Sequence, residues 1–266
     1  MRGIIYKILL FLLIPPAIAL LFGGCGLKGD DEGLEEIVEQ TYHVDPAAAL
    51  SISNAEGAIR IYGADVNEIH IHAVKRAYSS ARLRKIDTNI SAHSGAVSIE
   101  TNYPPKKPWG LGDRSGTVDY TVIVPQTCVI SKLDLGVGEM LNEGLRGGSA
   151  HAHLTNGRLF AHNCFGDMDL TAENGGIDIY YDWWEQIKFS IKAEIADGSV
   201  RAFIPGDASF HLRAEAEGGQ IANDFAEKEQ RKLGVRKIDR VIGTPAGAEV
   251  RLRARSGNIK IAEVTY

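Results

Sequence analysis

Glycine recurs at a fixed step in the middle of this chain. Between residues 136 and 179 the step is nine or ten residues, at Gly138, Gly148, Gly157, Gly166 and Gly175. Within each intervening segment the second and fourth residues after the glycine are small or apolar, which predicts short strands with one buried and one solvated face. A repeat of this kind constrains the fold more than any single motif in the chain.

The turns of this repeat have a second, longer period. Asn156-Gly157 resembles Asn174-Gly175, and Leu145-Arg146-Gly147 resembles Cys164-Phe165-Gly166, so like turns recur every 18 or 19 residues. If two nine-residue arms form one coil, like arms stack about 4.8 Å apart. This register predicts four buried columns, namely Ala150/Met168, Ala152/Leu170, Leu159/Ile177 and Ala161/Ile179.

A narrow two-sided β-solenoid with coils of about 18–20 residues follows from this register. An antiparallel meander of nine-residue hairpins would show the same alternation and is the alternative fold. The glycine unit also occurs outside the central run, at Gly57, Gly95, Gly198, Gly219 and Gly257. Longer strands are expected between these units, at residues 66–74, 117–124, 187–195, 209–216 and 248–254. Outside the first 24 residues a helical pattern is visible only at residues 34–40, so the chain is predicted to be all-β.

The first 24 residues have the pattern of an export signal. Arg2 and Lys7 precede an apolar stretch at residues 8–22 that Pro15-Pro16 interrupts, and this stretch is too short and broken for a stable membrane span. Gly23-Gly24 then precedes Cys25, as signal peptidase cleavage and acylation of a thiol require.

This start resembles a bacterial lipoprotein signal, with Cys25 as the lipid attachment site, although Phe22 stands where that pattern usually has Leu. An uncleaved anchor and ordinary signal cleavage are the alternatives, and all three export the folded part. Residues 25–34 are polar and glycine-rich and are predicted to form a flexible tether to a domain at residues 35–266. Gly26, where an Asp would suggest inner-membrane retention, favours an outer-membrane address if the bacterium has one.

Three ordered stretches resemble a known family, the bacterial DUF4097 domains, which are regarded as β-strand-repeat candidate adhesins. The stretches are Leu133-Asp134-Leu135-Gly136-Val137-Gly138 after Val124-Pro125, the run at residues 155–177, and the closing segment at residues 248–259. The resemblance covers most of residues 45–266. It implies a right-handed, β-helix-like fold on an exported or membrane-tethered protein, and it implies no established activity.

Histidines and acids offer weak candidates for a metal or catalytic site. His70/His72 and His151/His153 are same-face pairs, and residues two apart on a strand lie about 6.5–7 Å apart, near enough to share a metal ion. The predicted register stacks Asp169 beside His151 on the wet face. Such residues are ordinary on a solvated strand, so we expect no metal ion and no cofactor.

A carbohydrate-active enzyme would need acids that converge on neighbouring coils. The nearest approach is Asp167, Asp169 and Asp178, but the register places Asp169 and Asp178 on opposite sheets. The chain is therefore expected to be noncatalytic.

Two further cysteines and an aromatic stretch complete the candidates. Cys164 occupies the place equivalent to Leu145, which predicts a small buried hydrophobe, and the sequence leaves open whether it pairs with Cys128. Tyr180, Tyr181, Trp183 and Trp184 form a tentative binding surface, because rigid aromatic rings can stack on sugars. Alternation sends some of these four rings to each face, and a role as a structural cap is the alternative.

Charge restricts the partners. After residue 24 the chain carries 27 basic and 34 acidic residues, a net charge of −7, which argues against nucleic acid. Two segments interrupt the repeat, at residues 102–114 and 224–240, and residues 75–85 are basic and contain no acid.

The sequence thus predicts an envelope lipoprotein that presents a rigid β-solenoid for adhesion, binding or support, with a membrane and an envelope polysaccharide or protein as partners. A β-helix enzyme and an accessory of envelope-stress sensing are the alternatives.

Overall fold

A computed structural model describes residues 33–105, 115–226, 235–244 and 247–264. Within these ranges the chain forms strands and one short helix, α1 (Ser80–Leu83). Six strands are long, with 15 to 17 residues each: β2 (Ala49–Ala64), β7 (Val129–Glu143), β8 (Arg146–His162), β9 (Phe165–Tyr180), β10 (Phe189–Pro205) and β14 (Ala248–Val264). The shorter strands are β1 (Leu34–His43), β3 (Glu68–Ala77), β4 (Asp87–His93), β5 (Ala96–Asn102), β6 (Thr117–Pro125), β11 (Phe210–Ala216), β12 (Ile221–Asn223) and β13 (Lys237–Ile242).

Each long strand is a coil of two arms that meet at a glycine. The corner glycines pair with one another from coil to coil, in the order Gly57, Gly138, Gly157, Gly175, Gly198 and Gly257. Their φ angles lie between 121° and 144°, in a region that residues with a Cβ rarely adopt. An added Cβ at any of them would lie 1.6–2.2 Å from a carbonyl oxygen of the adjacent coil. Only glycine therefore allows the coils to stack at the corner.

The arms before the corner (the N-arms) and the arms after it (the C-arms) form parallel ladders around one core. In β8 the inward residues are Ala150, Ala152 and Leu154 before the corner and Leu159 and Ala161 after it, all at most 2% exposed. The buried residues have even numbers before the corner and odd numbers after it, because the chain turns there and directs the second arm back towards the same interior. Both sets belong to a single hydrophobic cluster.

All four predicted columns are confirmed by the pairing of β8 with β9. Ala150 pairs with Met168 and Ala152 with Leu170 in the N-arms, and the C-arm pairs are Leu159/Ile177 and Ala161/Ile179. The β7, β8, β9 and β10 neighbours are all parallel, so the antiparallel meander is wrong. The fold is an all-β solenoid.

The stacking order departs from the chain order at both ends. The C-terminal strand β14 lies between β10 and a coil formed by β11 and β12, and it pairs with all three in parallel. At the other end β2 lies between β7 and a coil formed by β5 and β6. β5 ends at Asn102 and β6 begins at Thr117, so the predicted interruption at residues 102–114 follows β5 in sequence, and its residues 106–114 lie outside the described residues.

Antiparallel strands close both ends of the stack. β4 covers β5, β3 covers β6 and is itself covered by β1, and β13 covers β11. Two local predictions are corrected here. Residues 34–40 belong to strand β1 instead of a helix, because every residue of β1 pairs with β3, and Val38 and Tyr42 pack on the core. Gly95 forms the tight turn of the β4–β5 hairpin and is not a coil corner.

Candidate binding surface

The aromatic stretch lies where β9 ends and the connection to β10 begins. Its four rings separate into two exposed and two internal ones. Tyr180 is 40% and Trp183 is 46% exposed, whereas Tyr181 is 1% exposed and Trp184 is half-buried against the core. Only Tyr180 and Trp183 of the tentative four-residue surface are therefore available to a partner.

The two internal rings stabilise the coil. The Tyr181 hydroxyl donates to the Cys164 carbonyl oxygen at 2.5 Å, and burial raises the pKa of Tyr181 well above its usual value. The Trp184 ring lies 5.0 Å from Tyr181, 5.2 Å from Phe189 and 5.4 Å from Phe210, centroid to centroid. Aromatic pairs at these distances contribute to packing beyond the area that they bury.

Trp183 is held in place by a charged pair. Its Nε1 donates to Glu185 Oε1 at 3.1 Å, and Glu185 forms an ion pair with Arg146 at 2.6 Å. The hydrogen bond from Arg146 lowers the pKa of Glu185, so this carboxylate remains an acceptor at neutral pH. The Phe165 ring, 5.9 Å away, supports the indole. Trp183 thus presents an oriented and half-exposed ring at low entropic cost.

Tyr180 belongs to an apolar strip that runs across the outer face of the C-arms. It pairs with His162 on one side and Phe203 on the other, and its ring stacks on Phe203 with centroids 4.7 Å apart. Phe160 and Leu141 lie on the two preceding coils and pair with each other. They are two positions earlier in the register, so Phe160 pairs with Asp178 and not with Tyr180. We call Leu141, Phe160, Tyr180 and Phe203 the outer strip.

The outer strip was missed by sequence reasoning except for Tyr180. A signal was nevertheless present, because Phe160 stands between the buried residues Leu159 and Ala161, and Phe203 between Ala202 and Ile204. Strict alternation makes such residues point outward. Leu141, Phe160 and Phe203 are half-buried, and Tyr180 is the exposed member of the strip.

Charged residues flank the strip. Asp178 is 4% exposed, and its two carboxylate oxygens each accept a hydrogen bond of 2.5 Å from Arg201, which raises the pKa of Arg201. The Arg158 guanidinium carbon lies 6.0 Å from the centre of the Phe160 ring. Arg158 thus lies over an aromatic ring, whereas Arg201 is held by Asp178.

Asp178 is separated from the other acids considered for catalysis. Asp169 lies on an N-arm and Asp178 on a C-arm, as the register predicts, and Asp178 is engaged by Arg201. Asp167 and Asp169 line one groove on the N-arms, where Asp167 accepts hydrogen bonds from the Ser190 backbone and hydroxyl at 3.0 and 2.9 Å and Asp169 lies 3.7 Å from Lys192. Asp178 therefore shares no substrate position with either of them.

The histidine pairs are placed as the register predicts. His151 pairs with Asp169 and His153 with Thr171, and His153 Nδ1 lies 3.1 Å from the Thr171 hydroxyl. In the other pair, His70 contacts the Thr41 hydroxyl at 2.9 Å and His72 lies 3.7 Å from Glu39. Among the described residues no group of three or more His, Cys, Asp or Glu side chains is arranged to hold a metal ion.

The outer face of the N-arms carries a shallow polar surface. Two adjoining grooves of about 280 and 310 Å³ share Lys192 and Arg251 in their walls. Their charges are largely matched: Lys192 lies 3.7 Å from Asp169, and Arg251 lies 2.8 Å from Glu249, whose pKa it lowers. A surface whose charges already pair with one another attracts ions weakly.

Cys128 and Cys164 are free and buried. Their Sγ atoms donate to the carbonyl oxygens of Ala48 and Asn142 at 3.0 and 3.4 Å. Burial raises the pKa of both thiols to about 12. Cys164 therefore acts as a small buried residue, as expected, and neither thiol is an activated nucleophile. Cys25 lies outside the described residues.

No helix in the described part of the chain is long and apolar enough to cross a membrane.

Comparison with curated proteins found no match. Among solved structures, a candidate cell adhesion protein from Clostridium sporogenes ATCC 15579 is similar with a TM-score of 0.50 and 13% identity, over 86% of this chain and 100% of that chain. At this identity the similarity concerns the fold alone.

Two further crystal structures match less closely. A candidate adhesin from Parabacteroides distasonis ATCC 8503 gives a TM-score of 0.33 at 9% identity, over 85% of this chain and 97% of that chain. One from Bacteroides fragilis NCTC 9343 gives 0.26 at 9% identity, with the same coverage. The family model named Toastrack DUF4097 matches residues 37–262, nearly the whole solenoid. The glycine-cornered coils and this match together place the chain in the Toastrack DUF4097 family.

Proposed function

We propose that this chain is a noncatalytic binding protein of the cell envelope, anchored by lipid at Cys25 and recognising its partner through the outer strip and Trp183. The partner class is an envelope polysaccharide or a protein surface. The C. sporogenes structure of similar fold is described as a candidate cell adhesion protein, which supports an adhesive role.

One observation carries this proposal: the apolar residues of the outer strip point away from a core that is already complete. The inward columns of both arms are filled by side chains that are at most 2% exposed in β8, so the coil interior offers little room for a small ligand. Tyr180 and Phe203, in contrast, remain on the outside of a ladder that fixes their spacing. Rigid aromatic side chains of this kind lose little entropy on binding.

The anchor rests on the chain start and on the reach of the segment that follows. Gly23-Gly24 before Cys25 fits signal peptidase cleavage, and β1 begins at Leu34, only nine positions after the cysteine. Two or more acyl chains on Cys25 would hold the domain stably at a membrane. The address is an exported, membrane-anchored lipoprotein, on the outer membrane if the bacterium has one.

Binding of the purified solenoid to peptidoglycan, isolated envelope polysaccharide and whole cells tests the proposal. Trp183→Ala and Tyr180→Ala should each weaken binding to one of these by about tenfold or more, because exposed aromatic anchors dominate such interfaces. Val241→Ala is the matched control, since Val241 is 48% exposed on β13, away from the strip. Melting temperatures are measured in parallel.

The outcomes separate function from folding. Weaker binding at unchanged melting temperature supports the outer strip, whereas an equal effect of Val241→Ala contradicts it. Trp184→Ala should instead lower the melting temperature, because its ring packs on Tyr181, Phe189 and Phe210. If neither Trp183→Ala nor Tyr180→Ala changes any interaction, the aromatic stretch is only a structural cap.

A further inference from the structure

The connection from β3 to β4 lies beside Gly33 and Leu34, where the segment that leads back to Cys25 leaves the solenoid. Leu34 pairs with Ala77, and a Cβ added at Gly33 would lie 3.9 Å from Cδ1 of Tyr78. Only residues 26–32 separate Gly33 from Cys25, so an extended chain would span at most about 28 Å. A membrane that holds Cys25 would therefore be within reach of this connection.

This connection carries unmatched positive charge. Residues 75–85 contain five basic residues and no acid. Lys75 and Arg76 are neutralised by ion pairs with Glu36 and Glu35, both at 2.5 Å. Arg82 is buried and donates from Nε to a backbone carbonyl oxygen at 2.8 Å.

The two remaining cations, Arg84 and Lys85, are exposed. Neither makes an ion pair within the described residues. The nearest acid that follows them in sequence is Asp87, at the start of β4. The positive charge of Arg84 and Lys85 is thus available to an anionic partner at the end of the stack.

Two apolar side chains accompany these cations. Tyr78 is 75% exposed, the highest value among the large hydrophobic residues that the structure describes, and Leu34 is 43% exposed. Tyrosine places its ring among apolar groups and its hydroxyl in water, which suits the headgroup level of a bilayer. We call Leu34, Tyr78, Arg84 and Lys85 the exit patch.

We propose that the exit patch docks on the anionic phospholipid surface to which Cys25 tethers the chain. This inference rests on the proposed lipid anchor for its biological setting, but the docking itself needs no acyl chain. Anionic headgroups complement Arg84 and Lys85, and each such cation strengthens binding about fivefold. Tyr78 and Leu34 enter the interface beside them.

Docking would orient the domain. The C-arm ladder runs from β3 through β6, β2, β7 and β8 to β9, and neighbouring strands lie about 4.8 Å apart. Tyr180 at the end of β9 would then stand about 24 Å further from the membrane than β3. The outer strip would be held clear of the lipid surface, where a partner can reach it, instead of swinging freely on its tether.

Vesicle flotation tests the docking without the anchor. The protein is residues 25–266 with Cys25→Ser, which contains the whole compact unit that begins at Glu32. It is mixed with vesicles of pure phosphatidylcholine or of phosphatidylcholine with phosphatidylglycerol, at low and high salt. We expect partition to the anionic vesicles alone, weakened by salt because exposed charges are screened. Arg84→Gln with Lys85→Gln should lower this partition about 25-fold, and Tyr78→Ala should lower it as well.

The control is Arg255→Gln with Lys260→Gln, since both residues are exposed cations on β14 near the other end of the stack. An equal loss in the control, or equal partition to both kinds of vesicle, overturns the inference. Absence of partition at low salt also overturns it. Fatty-acid labelling of Cys25 in the native chain tests the anchor separately, so an unlabelled Cys25 would refute the lipoprotein proposal while leaving the flotation result to decide the exit patch.

Discussion

Gly157→Ala tests the role of the corner glycines directly. Gly157 has a φ of 138°, and an added Cβ would lie 1.8 Å from the Gly138 carbonyl oxygen. Alanine is therefore disfavoured twice, by its own backbone conformation and by the carbonyl of the preceding coil. Because the same geometry recurs in six coils, a single substitution tests the device that stacks them.

The two penalties can be estimated separately. A residue with a Cβ in this region of φ costs about 1–3 kcal/mol. Relieving the overlap requires movement of a packed backbone, for which overpacking costs of about 1–3 kcal/mol are typical. We expect Gly157→Ala to lower the free energy of unfolding by about 2–6 kcal/mol in total. For a domain of this size the melting temperature should fall by about 4–24 °C.

Two other glycines provide matched controls. Gly147 has a φ of 71° and nothing within 4 Å of an added Cβ, so Gly147→Ala isolates the backbone penalty, about 1–2 kcal/mol. Gly176 has its nearest neighbour at 3.8 Å without a left-handed φ, and Gly176→Ala should be close to neutral. Thermal unfolding followed by circular dichroism gives all three values. Equal melting temperatures for Gly157→Ala and Gly176→Ala would refute the reasoning about the corner.

Three further predictions concern single side chains. Asn142 is fully buried, and within the described structure its side-chain amide has no hydrogen-bond partner. Asn142→Leu should therefore raise the free energy of unfolding by about 1–3 kcal/mol. A lower melting temperature of this variant would show that the amide is satisfied, for example by water. Iodoacetamide at about pH 8 should leave Cys128 and Cys164 unmodified until the protein unfolds, because burial raises the pKa of both thiols to about 12 from 9.0. Labelling of the folded protein would contradict the burial of these thiols. The raised thiol pKa also stabilises the folded state at pH values below 9.0, and this contribution to stability is lost as the pH rises towards 12. Cys25→Ala should abolish incorporation of radiolabelled fatty acid, and equal labelling of the variant would exclude Cys25 as the acylation site.

The register was predictable because its determinants are local. A glycine that must turn the chain, followed by alternation, specifies which residues of β8 and β9 are buried, and Ala150/Met168 follows from counting alone. The partner of a strand at the end of the stack has no such local determinant. Nothing in residues 248–264 distinguishes pairing with β10 from pairing with β11, and the chain pairs them with both.

The binding surface was only partly predictable for a related reason. Tyr180 ends β9, so alternation still applies to it, whereas Tyr181 and Trp184 lie in the connection that follows. There the direction of a side chain depends on tertiary contacts such as the hydrogen bond from Tyr181 to the Cys164 carbonyl. The exit patch required the fold as well, since only the pairing of β1 with β3 brings Leu34 beside Tyr78.

The position of β14 ties completion of the domain to the last part of the chain. During synthesis the N-terminal part of the polypeptide is made first, yet the coil that joins β10 to β11 and β12 is made from residues 248–264. Until these residues arrive, β10 has an open edge and β11 has no parallel neighbour. Because such long-range pairing is slow to form, the C-terminal half cannot close until residues 248–264 are available. A chain cut short before residue 248 would leave the edge of β10 unpaired, and an unpaired strand edge is a template for aggregation.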